Sequence, residues 1–248
     1  MPRRDRNRKV SIVHADEAII VVDKSPGVLC VPGRGGHANL VDRLRDRPEF
    51  ADDEPLRVVH RLDKDASGVM VFARTRAAQQ HLVRQFMERT VEKTYLALVT
   101  GYVDSDGEID LPIRYSKRRA CFEATQEHGK PALTRYRILK RLSGNTLVEC
   151  RPVTGRTHQI RVHFAAIDHP LTVDPAYGGG EQVMLSKYKS GYRQGIRHEE
   201  RPLIDRLTLH AARIAFAHPL NEEPVAYEAP LPKDLRATLK QLERLCGE

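Results

Sequence analysis

The chain has 248 residues, 40% of them hydrophobic and 30% charged, which suits one large or two small globular domains and excludes a disordered or fibrous chain. Forty-one Lys and Arg against 33 Asp and Glu leave a net charge of +8, which favours a polyanionic partner, nucleic acid above all. No apolar run nears the roughly 20 residues of a membrane helix and the N-terminus, Met-Pro-Arg-Arg-Asp-Arg, lacks the apolar core of a secretory signal, so a soluble, cytoplasmic protein is expected.

Residues 1–9 hold Arg3, Arg4, Arg6, Arg8 and Lys9 against Asp5, half of the net charge. They read either as a solvated end or as a contact for a polyanion. Val10 to Val13 and Ala18 to Val22 are Val- and Ile-rich runs that predict a strand pair, closed by a turn at Lys24-Ser25-Pro26-Gly27. A short helix is expected after Asn39, strands at Arg57 to Val59 and Val69 to Ala73, and a helix from Thr75 to Met87 with Thr75 as its cap. Further strands follow at Lys93 to Val99, Leu133 to Arg141 and Thr146 to Val153. Ile160, Phe164 and Ile167 mark a helix stopped by Pro170, and Gly178 to Arg206 is a long irregular segment of the kind that serves function. Short strands at Leu207 to His210, Ile214 to Ala217 and Val225 to Tyr227 precede a terminal amphipathic helix, Pro232 to Leu245. The fold class is α+β, a mainly antiparallel mixed sheet with flanking helices. The four cysteines, Cys30, Cys121, Cys150 and Cys246, are widely spaced and fit neither a zinc site nor a disulfide framework.

Two clusters carry chemistry. His60-Arg61-Leu62-Asp63-Lys64-Asp65-Ala66-Ser67-Gly68 sets cations and carboxylates in a loop between apolar strands, where Asp63 is either a nucleophile or general base, or one member of a charge-balanced turn. Thr154-Gly155-Arg156-Thr157-His158-Gln159-Ile160-Arg161-Val162-His163 gathers two arginines and two histidines at a helix start, either a functional group or an anion-friendly terminus with solvated charges. The His spacings do not match a helical metal pair, and Asp65-Ala66-Ser67-Gly68-Val69 is not a serine nucleophile elbow, so neither a metal nor a serine hydrolase is expected.

The chain resembles the RluA family of RNA pseudouridine synthases in three ordered blocks: His60-Arg61-Leu62-Asp63 with Ser67-Gly68; Lys93-Thr94-Tyr95-Leu96-Ala97-Leu98-Val99 with Gly101; and Gly155 to His163 followed by His169-Pro170-Leu171, Asp174 and Tyr177-Gly178. Ala66 departs from a usual Thr, and Lys24-Ser25-Pro26-Gly27 varies a Lys-Pro pair. The resemblance implies isomerisation of specific uridines in structured RNA, ribosomal or transfer, without cofactor or metal. It implies Asp63 as the catalytic aspartate, Tyr95 as the ring beside the target base, and Arg161 as the cation that favours the charged form of Asp63. Extruding the uridine costs a few kcal/mol of unstacking, and the planar guanidinium of Arg61 is suited to fill the gap. His60, Arg156 and His158 are the other RNA contacts expected beside the site. In the Gly178 to Arg206 segment, Lys187, Lys189, Arg193 and Arg197 interleave with Tyr188 and Tyr192, which suits either an RNA grip or a solvated loop with locally packed tyrosines. The expected organisation is a tail at 1–9 and a catalytic domain at 10–248, monomeric, with no separate N-terminal RNA-binding module.

Overall fold

The computed structural model describes residues 10–32, 39–50, 55–192 and 199–247. In chain order the strands and helices are β1 (Ser11–Ala15), β2 (Ile19–Lys24), α1 (Leu40–Arg45), β3 (Arg57–Val58), β4 (Ser67–Ala73), α2 (Arg76–Glu88), β5 (Glu92–Thr100), β6 (Gly107–Asp110), β7 (Ile113–Ser116), β8 (Cys121–Ala124), β9 (Leu133–Leu142), β10 (Asn145–Pro152), α3 (Gln159–Ala166), β11 (Leu209–Ala217), β12 (Pro224–Glu228) and α4 (Lys233–Arg244). The chain divides into two compact units, the first made from the chain up to Lys93 and from Ala211–Pro230, the second from Thr94–His210 and from Leu231 onward.

In the first unit the strands run in the order β1, β2, β4, β11, with β3 also pairing β4 and β12 pairing β11. β2 and β4 supply its centre: Ile19 to Val22 and Met70 to Ala73 are fully buried, as the unbroken Val and Ile runs require of strands covered on both faces. The β2 to β4 pairing is antiparallel, from Ile19 opposite Ala73 to Lys24 opposite Gly68. At its end β4 must pass β11 so closely that a Cβ on Gly68, at φ +118°, would lie 2.1 Å from the Ala211 carbonyl oxygen. α2 starts where expected, because the Thr75 side chain accepts from the Ala78 N–H. Its buried Gln85 holds both backbone groups of Ala217 on β11, N–H and carbonyl each at 2.8 Å.

In the second unit β5, β10, β9 and β6 form an antiparallel succession, and β7 and β8 make a separate hairpin. The sequence signals did not give β6, β7 and β8: each has four residues, too few for alternation to show beside Arg114, Lys117, Arg118 and Arg119. The segment from Gly178 to Arg206 is less irregular than expected. Val183 and Ile204, both buried, pair through the backbone at its base, and Leu185–Lys187 forms a 3-10 turn. The mainly antiparallel α+β class is as the sequence implies. Among the described residues no helix is long and apolar enough to cross a membrane. The cysteines among them, Cys30, Cys121, Cys150 and Cys246, are free thiols.

Candidate active site

Asp63 opens a tight turn: the Ala66 N–H returns to its carbonyl at 3.2 Å. The turn is pinned from beneath by a lysine with no solvent exposure. Lys24 at the end of β2 is 0% exposed, and its Nζ donates to the carbonyls of Ser25, Lys64 and Ala66 at 3.2, 2.8 and 2.7 Å. An ammonium removed from water needs acceptors for its hydrogens, and these backbone carbonyls supply them. Gly27, at φ +81°, adds its N–H to the same Lys64 carbonyl at 2.9 Å. On the other side of Asp63, the buried Cys30 thiol donates to the Leu62 carbonyl at 3.2 Å and its sulfur accepts the Leu62 N–H at 3.4 Å. Burial pushes the Cys30 thiol up, so it stays protonated and keeps that donor. Asp63 itself is half-buried and Arg61 exposed. Lys24 and Cys30 are functional supports that sequence reasoning missed. The signals at hand were a lysine ending a Val- and Ile-rich strand before Ser-Pro-Gly and the varied Lys-Pro pair.

His60 has a different task from the RNA contact expected of it. Its Nε2 accepts the Val71 N–H at 3.1 Å, and its ring stacks on Phe86 with centroids 4.9 Å apart. Burial, helped by the Lys93 charge, pulls its pKa down to about 3, so the ring is neutral and its free hydrogen sits on Nδ1. It anchors the strand before the turn to β4.

In the second unit the cluster around α3 separates into a scaffold and a front. Gln159, His163 and Thr154 are buried. The Gln159 carbonyl oxygen accepts from the Thr154 hydroxyl at 2.6 Å and from the Arg156 N–H at 3.0 Å, while its amide donates to Leu133 and Thr134, each at 2.9 Å. His163 spans the Leu111 carbonyl and the Thr134 hydroxyl at 3.0 and 2.9 Å. Burial holds its pKa down, so Nε2 donates to the carbonyl and Nδ1 accepts from Thr134. Through these side chains the start of α3 is tied to β9.

The front holds Arg161, half-buried, whose Nε and Nη2 donate to Asp174 Oδ2 and Oδ1 at 2.7 and 2.8 Å. The Arg161 guanidinium also lies 4.7 Å from the Tyr177 ring centroid. His158 precedes α3 at φ +57°, and its Nδ1 is 2.7 Å from the Tyr177 hydroxyl. The sequence blocks contained Asp174 and Tyr177 but gave them no role, because an ion pair 13 residues long has no local signature. Tyr95 is half-buried on β5, opposite Cys150 of β10. Arg156 spends its Nε on the Pro131 carbonyl at 3.0 Å.

Of the basic segment, Lys187 and Lys189 are exposed. Tyr188 packs against the clusters of Val173, Val183, Ile204 and Leu235 and of Leu98, Leu142 and Leu242, so this tyrosine belongs to the core and not to a base-stacking surface. Arg193 and Arg197, and the basic tail at 1–9, lie outside the described residues. Among the described residues no group of three or more His, Cys, Asp or Glu is placed to hold a metal ion.

A family model described as RNA pseudouridylate synthase matches residues 18–166. Ribosomal large subunit pseudouridine synthase D of Xanthomonas campestris pv. campestris is 40% identical over 235 residues, 94% of this chain and 69% of its own length. The synthase D of Nitrosomonas europaea is 38% identical over 238 residues, covering 95% of this chain and 66% of that protein. The chain thus spans about two thirds of the length of these curated relatives. Among solved structures, human RNA Pseudouridylate Synthase Domain Containing 1 superposes with a TM-score of 0.68 at 30% identity, covering 90% of this chain and 84% of that one. Human RNA Pseudouridylate Synthase Domain Containing 4 shares the fold, with a TM-score of 0.70 at 24% identity over 94% and 92% of the two chains. The clamped aspartate turn, the ordered motif blocks and these matches agree, and the chain belongs to the RNA pseudouridylate synthase family of the RluA type.

Proposed function

We propose that the protein isomerises specific uridines of structured RNA to pseudouridine, with Asp63 as the catalytic carboxylate and ribosomal RNA of the large subunit as the substrate class. The observation that carries this reading is the family-matched Asp63 held on a turn whose flanking carbonyls are fixed by Lys24 and Cys30. The substrate assignment rests on the relatives, which are named for the large ribosomal subunit. The reaction conserves every atom of the nucleotide. The bond from the anomeric carbon to N1 breaks, a bond to C5 forms, the C5 proton leaves, and N1 gains one. An ionised Asp63 serves either by attacking the anomeric carbon or by taking a sugar proton to give a glycal. Tyr95 and Arg161 are assigned from the second and third motif blocks, the first as the ring against which the target base stacks, the second as the arginine that serves the reaction. Arg61 is assigned the space left by the extruded base. Arg156, His158, Lys187, Lys189, Arg193 and Arg197 are assigned to RNA contact, and the protein to the cytoplasm as a monomer.

The test is tritium release from ribosomal RNA labelled at C5 of uridine. Asp63→Asn keeps the side chain's shape and removes its charge, so release should vanish while folding and RNA affinity persist. Substantial release by the folded variant would remove Asp63 from the reaction. Mapping pseudouridines in total RNA with and without the protein identifies the target uridine, and new sites confined to transfer RNA would move the substrate class.

A further inference from the structure

Among the described residues, several buried or half-buried charged groups lie outside the aspartate turn. Arg206 and Asp234 form a bidentate pair that ties α4 to the chain before β11, Asp16 accepts from both His14 and His218, and Glu149 accepts from Arg137 and Arg151. The group around Arg161 stands apart, because the reaction asks this guanidinium to serve another anion while one of its edges holds Asp174.

Asp174 is 1% exposed and is held by its own turn. Its N–H donates to the Gly180 carbonyl at 3.1 Å, and its carbonyl accepts from Tyr177 and Gly179 at 3.0 and 2.9 Å. Gly179 leaves that turn no slack, since a Cβ there would stand 2.0 Å from the Leu171 carbonyl oxygen. A carboxylate fixed in this way sets the plane of the guanidinium through two parallel bonds, a geometry that a lysine cannot accept. Nε is consumed, and Nη1 with the second hydrogen of Nη2 forms the edge with which the arginine can serve a further anion. The face of the guanidinium is supported by the Tyr177 ring at 4.7 Å.

The Tyr177 hydroxyl does more than fill space. Its oxygen accepts the Phe122 N–H at 3.3 Å, and burial pushes its pKa up to about 12, so it keeps its hydrogen at neutral pH. The acceptor in reach of that hydrogen, among the described residues, is His158 Nδ1 at 2.7 Å. A neutral His158 must then carry its own hydrogen on Nε2. This is the form from which a phosphate or a uracil carbonyl oxygen accepts. His158, at φ +57°, gives α3 no side-chain cap; its carbonyl takes the first helical N–H, from Val162 at 2.9 Å, while its ring is left to Tyr177.

We infer that Asp174 and Tyr177 are positioning residues for the isomerisation: Asp174 fixes the Arg161 guanidinium edge-on, and Tyr177 supports its face while its hydroxyl locks His158 as an Nε2–H donor. The inference rests on the reading that Arg161 serves the reaction, and the experiment separates the two.

Tritium release, melting temperature and RNA affinity are measured on the full chain for Arg161→Met, Asp174→Asn, their double variant and Tyr177→Phe. Asp174→Asn should lower kcat about 100-fold, the scale of a misplaced reacting group, with KM within about twofold. The double variant should be no slower than Arg161→Met alone, because Asp174 acts through Arg161. Should Asp174→Asn melt early, Asp174→Glu keeps the charge one methylene displaced and should lose kcat similarly, read on the folded protein below its own melting temperature. Tyr177→Phe keeps the ring and should raise KM roughly three- to tenfold, the value of one hydrogen bond. In nitrogen-15 spectra of the histidines, His158 should show a bare Nδ1 in the native protein and a tautomer mixture in Tyr177→Phe. Native kcat in folded Asp174→Asn and Asp174→Glu, additive losses in the double variant, or a native His158 protonated on Nδ1 would overturn the inference while leaving the uridine reaction intact. A native rate in Arg161→Met would instead overturn the role given to that arginine, and with it the part assigned to Asp174.

Discussion

Lys24 is the residue on which the proposed catalytic turn rests. Each of its contacts is a charged group bonded to a neutral carbonyl, worth about 1.5–3 kcal/mol in folded proteins, and the Ala66 carbonyl, met in a buried bond, has no water to fall back on. Lys24→Met keeps the stem and removes the ammonium. It should cost about 3 kcal/mol or more in urea unfolding, and the folded fraction should release tritium more slowly because the turn opening at Asp63 loosens. His60 gives a second residue-scale expectation, with a defined sign. Its folded pKa of about 3 lies below the ordinary 6.5, so between those values the unfolded chain binds a proton that the folded chain does not, and stability falls as pH drops through that window. His60→Gln, which can still offer an oxygen to the Val71 N–H, should flatten the dependence of melting temperature on pH between about 6 and 4. An unchanged slope would assign the acid sensitivity to other groups.

At the scale of elements, the close pass of β4 and β11 is the most exacting packing in the first unit. Gly68→Ala would set a methyl carbon 2.1 Å from the Ala211 carbonyl oxygen at φ +118°, so either β11 or the turn before β4 must move. An overpacked site costs about 1–3 kcal/mol and a strained backbone a similar amount. The melting temperature should fall by several degrees or more, with activity falling further because the displaced turn carries Asp63. Such elements differ in how far the sequence discloses them. β2, β4 and α2 are legible because their signals are local: unbroken Val and Ile runs, and a threonine whose oxygen meets an N–H three residues on. The hairpin of β7 and β8 escapes because each strand has four residues and its turn is Lys117-Arg118-Arg119-Ala120, with none of the usual turn glycines. The motif blocks can be picked out along the chain, yet what each of their residues touches depends on atoms distant in sequence. His60 reads as a cation until its contact with Val71 and Phe86 is known. Asp174 is one acid among many until it meets Arg161, and Tyr188 looks like a stacking platform until the core of the second unit closes over it.

For the whole molecule, the net charge of +8 sets how RNA is gathered before any base is read. Changing Lys187, Lys189, Arg193 and Arg197 together to Ser should weaken RNA binding and flatten the slope of log affinity against log salt by up to about four contacts, each worth roughly 0.7–0.9 of a unit. The rate at saturating RNA should change far less, and an unaltered slope would pass the role to the cations at Arg3 to Lys9. The return of the chain at Ala211–Pro230 to complete a unit begun before Lys93 has a further consequence, which concerns synthesis. A ribosome delivers β2, β3 and β4 early, but the neighbour of β4 on its other side is β11, which emerges more than a hundred residues later. Until then the first half of β4, Ser-Gly-Val-Met, offers an uncovered edge to any other strand in reach, since β3 pairs only Phe72 and Ala73 and His60 takes the Val71 N–H. The nascent protein is therefore most exposed to mispairing between the emergence of β4 and that of β11, and the strand that follows the Asp63 turn gains its last partner only then.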